Sequence, residues 1–458
     1  MKNLLYKGIY ITFIISFLLP VVLLFTAKSV TAQTISVSAI IRPRFEVQYG
    51  YRVPPDTSST AQVLVSQRTR LNVAYNSDRF NAFISIQDAR VWGDEPFATD
   101  APSFGLHEAW GQYNFSQKAG LKVGRQEFAY DNKRLLTNGE WPQQSRAYDA
   151  AVLKLNLAHG WKMDAAGSFN QATQNSLANP PGFGSFYPGS NYKTLDFIWV
   201  NKTKTDSFYK YNISGLVMGE GYQQGITGFK DSSLKMRYTY GINSSYDHHR
   251  WGINFEAYGQ SGDTRFINQS GISIPDSFQT VKAFFFSVNP WVATGNFIIG
   301  VATDYMSGSN AFDSSDVTHM FNPQYGANDR FYGKIDLFFN MPADTRNAGL
   351  IDNYLTLRYL YKKWNFGFEG HYYLLANEVE DIENPGQPLD KKLGSELDFS
   401  AIKDITKDVN INTGVAVFFP TRSMEFVKSA AFSQLGGPTI TGFYFYLQLT
   451  FKPVFFSK

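Results

Sequence analysis

The sequence predicts an all-β protein, a transmembrane antiparallel β-barrel of about eighteen strands with long extracellular loops and short periplasmic turns. Three observations carry that prediction. From residue 34 onward, apolar or aromatic residues alternate with polar ones in runs of about ten, the period of a strand with one wet and one apolar face. The connections between runs alternate in length. Residues 1–32 read as an export signal: Lys2 and Lys7, an apolar stretch from Ile9 to Ala27, Lys28, and Val30-Thr31-Ala32 before Gln33, where cleavage is expected. The expected division is therefore a signal peptide over 1–32 and a barrel over 33–458.

Composition narrows the classes further. The 458 residues include 40 Phe, 27 Tyr and 8 Trp, an aromatic share of 16% that suits side chains settling at the two membrane interfaces. Mean hydropathy is −0.25. Beyond the N-terminus no apolar run is long enough to cross a bilayer as a helix, which excludes a multi-span helical protein. With no Cys there is no disulfide, thiolate metal site, catalytic thiol or acylated N-terminal cysteine. Removing the three lysines of the leader leaves basic and acidic groups equal in number, so bulk charge gives no support to nucleic-acid binding.

The elements follow in order from this pattern. Short polar turns are expected at 76–79, 116–119, 158–160, 202–206, 244–250, 289–295, 362–363 and 403–408. Long loops rich in Gly, Pro, Ser, Asn and Asp are expected at 92–104, 128–145, 171–190, 260–279 and 376–391. Counting candidate strands gives nineteen with residues 329–340 included. A bacterial barrel closes on an even number, so that weakest candidate is assigned to one long external loop over 306–349. The last run shows the rule plainly: Phe443, Phe445, Leu447, Leu449 and Phe451 share one face, and Tyr444, Tyr446, Gln448, Thr450 and Lys452 the other. A soluble propeller would need a repeat of about 40 to 50 residues, and none is visible.

Because apolar residues face lipid, the opposite parity faces the lumen. In 35–49, Pro43, Phe45, Val47 and Tyr49 put Arg42, Arg44 and Glu46 inside; in 62–76, Leu71, Val73 and Tyr75 do the same for Arg68 and Arg70. The same rule adds Lys122, Arg146, Lys154, Lys162, Lys235, Arg237 and Arg358 as basic lumen residues. It also adds Glu108, Asp164, Glu256, Asp304, Glu369, Glu396 and Asp398 as acidic ones. The basic set lies early in the chain and the acidic set mostly late. With Lys452 on the last strand, this predicts a basic stripe along the closing seam that faces a more acidic wall. Guanidinium groups there would offer planar donors to an anionic chain, while pairing with neighbouring acids would instead brace the wall. Parity puts Arg125 with Leu121 and Val123, and Asp88 and Arg90 with Ile84 and Ile86, on the lipid face. They are expected at strand tops or after a register-resetting bulge, and Arg125 is kept among the candidate pore residues.

Several stretches resemble the alginate-export family of outer-membrane barrels. They are Arg68-Thr69-Arg70-Leu71, Gln87-Asp88-Ala89-Arg90-Val91-Trp92-Gly93, His107-Glu108-Ala109-Trp110, Gly124-Arg125-Gln126-Glu127, Asp131-Asn132-Lys133-Arg134-Leu135-Leu136 and Trp141-Pro142-Gln143-Gln144-Ser145-Arg146-Ala147-Tyr148-Asp149. Thr303-Asp304-Tyr305-Met306-Ser307-Gly308, Phe321-Asn322-Pro323-Gln324-Tyr325-Gly326 and Ser423-Met424-Glu425 look like the same family. The resemblance implies an eighteen-stranded barrel in the bacterial outer membrane with an arginine-rich pore that passes an anionic polyuronate. The expected partners are outer-membrane lipid, the barrel-assembly machinery, and an anionic polysaccharide. The alternative is a general porin for small anions.

No enzyme and no cofactor is expected. Ser232-Ser233-Leu234-Lys235 matches S-x-x-K without its companion motifs, and Lys235 is already a lumen residue. His248 and His249 point to opposite faces of a strand, and His107-Glu108 lacks the second His of a zinc helix. Gly219 and Gly221 have no helix pattern after them, which removes a nucleotide site.

Overall fold

The computed structural model describes residues 33–94, 104–170, 192–223, 234–267, 273–323, 325–428 and 439–458; the expected leader, the expected loop 171–190 and Ser232-Ser233 lie outside them. Its strands run in chain order from β1 (Thr34–Tyr49) through β2 (Gln62–Asn76), β3 (Phe80–Val91), β4 (Phe104–Ser116), β5 (Ala119–Gln126), β6 (Tyr148–Asn156) and β7 (Trp161–Phe169). They continue with β8 (Thr194–Thr205), β9 (Tyr209–Gln223), β10 (Leu234–His248), β11 (Trp251–Ile267), β12 (Ser273–Thr294) and β13 (Phe297–Met306). After the two-residue β14 (Val317–Thr318) come β15 (Leu350–Tyr361), β16 (Trp364–Leu375), β17 (Lys392–Asp404), β18 (Val409–Pro420), β19 (Gly442–Phe451) and the short β20 (Val454–Ser457).

Leaving out β14 and β20, eighteen strands form a closed antiparallel barrel. Each pairs with the next, β13 pairs directly with β15, and β19 closes on β1 in the register Ile41↔Phe451, Phe45↔Leu447 and Tyr49↔Phe443. Closure leaves no barrel strand with an unpaired edge, which the hydrocarbon could not hydrate. The alternation is visible residue by residue on β19, where Phe443, Leu447 and Phe451 are exposed while Tyr444, Gln448 and Thr450 are buried. Lys452 lies past the end of that strand and is exposed, its amide donating to the Asp408 carbonyl, so it does not continue the inward row.

Short turns gather at one end and long loops at the other, with small shifts from the expected bounds. β8, β10 and β12 run to 205, 248 and 294, so the turns expected at 202–206, 244–250 and 289–295 contract. Two-residue turns stand at Gln117-Lys118, His249-Arg250, Gly295-Asn296 and Lys362-Lys363, and Gly295 takes φ +56°. Residues 260–267 and 273–279 of the expected loop are strand: β11 and β12 keep pairing through Gly262↔Val281, Thr264↔Gln279 and Arg265↔Phe278, and residues 268–272 lie outside the described residues. Above the bilayer no lipid enforces an apolar face, so polar composition there does not mark a loop.

The expected external loop 306–349 begins after Met306 and folds back into the barrel. Residues 329–340 are not a strand; Asn328–Phe331 makes one helical turn and the rest is irregular. Phe321, Ile335, Leu337 and Phe338 of this loop are fully buried and pack with Phe128, Leu135 and Leu136 from residues 127–147. The barrel thus holds an apolar core of its own.

Leu447→Arg places a charge on the lipid face, and an arginine near mid-bilayer costs about 2 to 4 kcal/mol. Unfolding titrations in lipid vesicles are expected to show that loss for Leu447→Arg and far less for Gln448→Arg on the inner face. Equal losses would contradict the assigned orientation.

Candidate functional site

Arg42 and Arg44 on β1 and Arg68 and Arg70 on β2 point inward and are all buried, with Arg42 directly opposite Arg68. Three of them grip the backbone of the inserted loop 127–147. Arg42 Nη1 donates to the Glu140 carbonyl at 2.7 Å, and its Nε and Nη2 donate to Gln143 Oε1 at 3.1 and 2.9 Å. Arg44 Nη1 donates to the Trp141 carbonyl at 2.9 Å, with its guanidinium 4.1 Å from the centre of the Trp141 ring. Arg68 Nε donates to the Gln143 carbonyl at 2.6 Å. Arg70 turns to Gln87 Oε1 at 2.6 Å and to Glu127 Oε1 at 3.2 Å. Glu46 is bound by Ser66 Oγ at 2.8 Å and the Tyr444 hydroxyl at 2.7 Å, 3.2 Å from Arg44 Nε. A hydrogen bond from a charged donor contributes about 1.5 to 3 kcal/mol, so this clamp holds the segment 140–143 firmly to the wall.

Arg134 does for the middle of the barrel what the clamp does for one side. It is buried, with Nη2 2.7 Å from Asp304, Nε 3.7 Å from Glu256 and Nη1 donating to the Tyr332 hydroxyl at 3.1 Å. Burial opposes its charge, but the carboxylates of Asp304 and Glu256 raise its pKa above the ordinary value. Beside it the two inserted loops bond to each other, Thr137 N–H to the Tyr325 carbonyl and Ala327 N–H to the Lys133 carbonyl, each at 3.0 Å.

Other parity candidates pair across the wall. Arg237 meets Glu220 with Nε at 2.7 Å and Nη2 at 2.9 Å, Lys154 lies 2.5 Å from Asp164, and Lys235 lies 3.7 Å from Asp263. Arg146 is in the inserted loop rather than in a strand. Arg125 keeps the outward parity of Leu121 and Val123 and pairs with Asp149 at 3.0 Å, so it does not line the interior. Asp88 and Arg90 also stay outward near the top of β3, 2.7 Å apart. The one register shift beside them falls on β4 at His107 and does not turn them inward. Glu396 and Asp398 on β17 are separated from the arginines of β1 by only two strands, β18 and β19, and Glu369 on β16 by three, so they are not across the barrel from them.

At the short-turn end the interior opens into a cavity of about 1320 Å³. Its walls carry Lys122, Lys154, Lys162, Arg358, Glu108 and Asp164, and the inserted loops form its ceiling through Tyr130, Asp131, Arg330 and Phe331. Lys122 lies 3.9 Å from the centre of the Trp110 ring. Among the described residues no carboxylate lies within ion-pairing distance of Lys122, Lys162, Arg330 or Arg358. Burial, then the like charges of Arg134 and Arg358, lower the Arg330 pKa. Glu127 sits between the cavity and the clamp. Burial pushes its carboxyl up, but hydrogen bonds from His107 and Asn138, each at 2.7 Å, and the charge of Arg70 hold it down at about 2.

Parity could not find Glu127, Arg134, Gln143 or Arg330, because they lie in loops where no period applies. The only sequence signal for the first three was their place inside the stretches that resembled a family.

Comparison with known proteins fits this geometry. The alginate-export family model matches residues 34–169, from β1 to β7, so the resemblance holds over that stretch. No curated protein sequence matches the chain. Among solved structures, OccAB1 of Acinetobacter baumannii is similar with a TM-score of 0.58 at 11% identity, over 92% of this chain and 97% of that one. The outer membrane protein OpdK of Pseudomonas aeruginosa is similar with a TM-score of 0.55 at 8% identity, over 93% and 99%. OccK3 of the same organism gives 0.55 at 10% identity, over 92% and 96%. The chain has the fold of these outer-membrane barrels.

Replacing Arg42 and Arg68 together by Ala removes most of the donors that hold residues 140–143 and leaves Arg44 on the Trp141 carbonyl. Faster amide exchange in that segment and a larger single-channel conductance are expected. Unchanged exchange would mean that the apolar packing alone seats the loop.

Proposed function

We propose that this channel passes small acidic solutes of the uronate type, entering or leaving through the cavity on the short-turn side, and that it is not an enzyme. The observation that carries this reading is the set of cations in that cavity, Lys122, Lys162, Arg330 and Arg358, none of which has a carboxylate within ion-pairing distance among the described residues, with Glu108 and Asp164 on the same walls. An anion there meets positive charge in a space partly walled off from bulk water, where attraction exceeds that at an open surface. Several weak sites of this kind hold a solute without trapping it.

The inserted loops favour small solutes, since the clamp and the apolar core occupy much of the cross-section. A second reading, passage of a polyuronate chain, is favoured by the alginate-export match over 34–169 and requires residues 140–143 to leave the arginines. The carbonyls of Glu140, Trp141 and Gln143 stand where carboxylate oxygens would bind, so a polyanion would compete for the same donors. In both readings the mature chain begins at Gln33 after leader removal and is inserted by the barrel-assembly machinery.

Reversal potentials in planar bilayers under a salt gradient test the reading. The wild-type channel is expected to prefer anions and to be blocked by uronate monomers and short oligomers, and Arg330→Ala with Arg358→Ala is expected to weaken both effects several-fold. An unselective conductance that is indifferent to uronates and to these substitutions would overturn it.

A further inference from the structure

We propose that Glu369, His371 and Asp398 form a binding site for a divalent transition-metal ion of zinc's class, set in the barrel wall beneath the loop 307–349. One ligand atom from each lies within 4.8 Å of the others. β16 and β17 bring them together because Glu369 is directly opposite Asp398 and His371 directly opposite Glu396, all on the inner face.

The orientation of His371 points to a metal more strongly than the carboxylates do. Its Nδ1 faces the Asp352 carboxylate at 2.9 and 3.1 Å, while its Nε2 is buried without a hydrogen-bond partner and lies 3.9 Å from Glu369. A carboxylate that accepts the Nδ1 proton fixes the tautomer with its lone pair on Nε2, the arrangement usual for a histidine that ligates a metal. Asp398 Oδ1 and Glu396 Oε2 are likewise buried and without a hydrogen-bond partner. His371, Glu396 and Asp398 are 3%, 0% and 1% exposed, so bulk water does not satisfy these atoms.

Charge points the same way. Asp352, Glu369, Glu396 and Asp398 converge here, and among the described residues no Lys or Arg lies within ion-pairing distance of any of them. Lys334 and Arg358 add more distant positive charge and leave the four carboxylates in excess. Buried carboxylates need pairing or metal coordination. One imidazole nitrogen and two carboxylate oxygens suit zinc, with the fourth position taken by water or by Glu396 Oε2. Glu369, whose side chain is 34% exposed, gives the ion an approach. An ion held there would also stiffen the inserted loop, because Ile335 N–H donates to Glu396 at 2.8 Å and Lys334 N–H to Asp398 at 3.1 Å.

The test refolds the full mature chain with zinc, removes free metal by desalting and counts bound zinc by elemental analysis; cobalt replaces zinc in a second series read by visible absorption. About one equivalent is expected in the wild type, together with the intense bands of a four-coordinate cobalt site. Asp398→Asn and His371→Ala are expected to abolish both signals. Asp352→Asn, which removes only the orienting carboxylate, should weaken affinity by about 10- to 100-fold. His159→Ala, on an exposed turn, should change nothing. If His371→Ala does not refold, Asp398→Asn and Asp352→Asn decide the matter. Absence of zinc from the wild type, or zinc that persists through these substitutions, overturns the site.

Discussion

Hydrocarbon offers no hydrogen-bond partner, and the whole architecture answers to that constraint. Every backbone amide and carbonyl at membrane depth must find its partner within the protein, which forces strands to pair side by side until the last meets the first. Once closed, the sheet has two surfaces of opposite character. Its outer side chains are apolar because lipid demands it, and the polar half of each alternating run has nowhere to go but inward. The buried arginines and carboxylates of the lumen follow from the side-chain period of the strand as much as from any demand of a solute.

An enclosed polar interior raises its own difficulty, since buried charges need partners. Three solutions appear in different places. Cross-wall pairs such as Arg237 with Glu220 neutralise charge within the sheet. The arginines of β1 and β2 take backbone carbonyls of residues 140–143, turning a loop into a counter-ligand. The cavity on the short-turn side holds several cations that, among the described residues, have no carboxylate within ion-pairing distance. The distribution separates bracing charges from available ones in a way that residue type alone does not.

The barrel was legible in the sequence because its driving force is periodic. Phe443, Leu447 and Phe451 announce the lipid face of β19, and the rejection of 329–340 as a strand followed from the need for an even count. Where the period ends, reading failed for physical reasons. β11 and β12 project beyond the bilayer, where polar residues are free to occupy both faces, so their ends looked like loop. Arg125 sat on the lipid parity at a strand end where an ion pair with Asp149 makes its charge tolerable. The inward turn of residues 307–349 depends on Phe321, Ile335 and Phe338 finding Phe128 and Leu136 more than a hundred positions away, which no local pattern encodes.

The hydrogen bonds that join the two inserted loops bear on how such a channel could move. With Thr137 held to Tyr325, Ala327 to Lys133, and Arg134 bridging toward Tyr332, a shift of either segment strains the other. The two inserted loops thus form one connected body held to the wall at several places, the arginines of β1 and β2 on one side, Asp304 and Glu256 in the middle and β17 on the other. An opening event would be concerted, and a solute pulling on the residues beside Arg42 would be felt at the far attachment under β15 to β17.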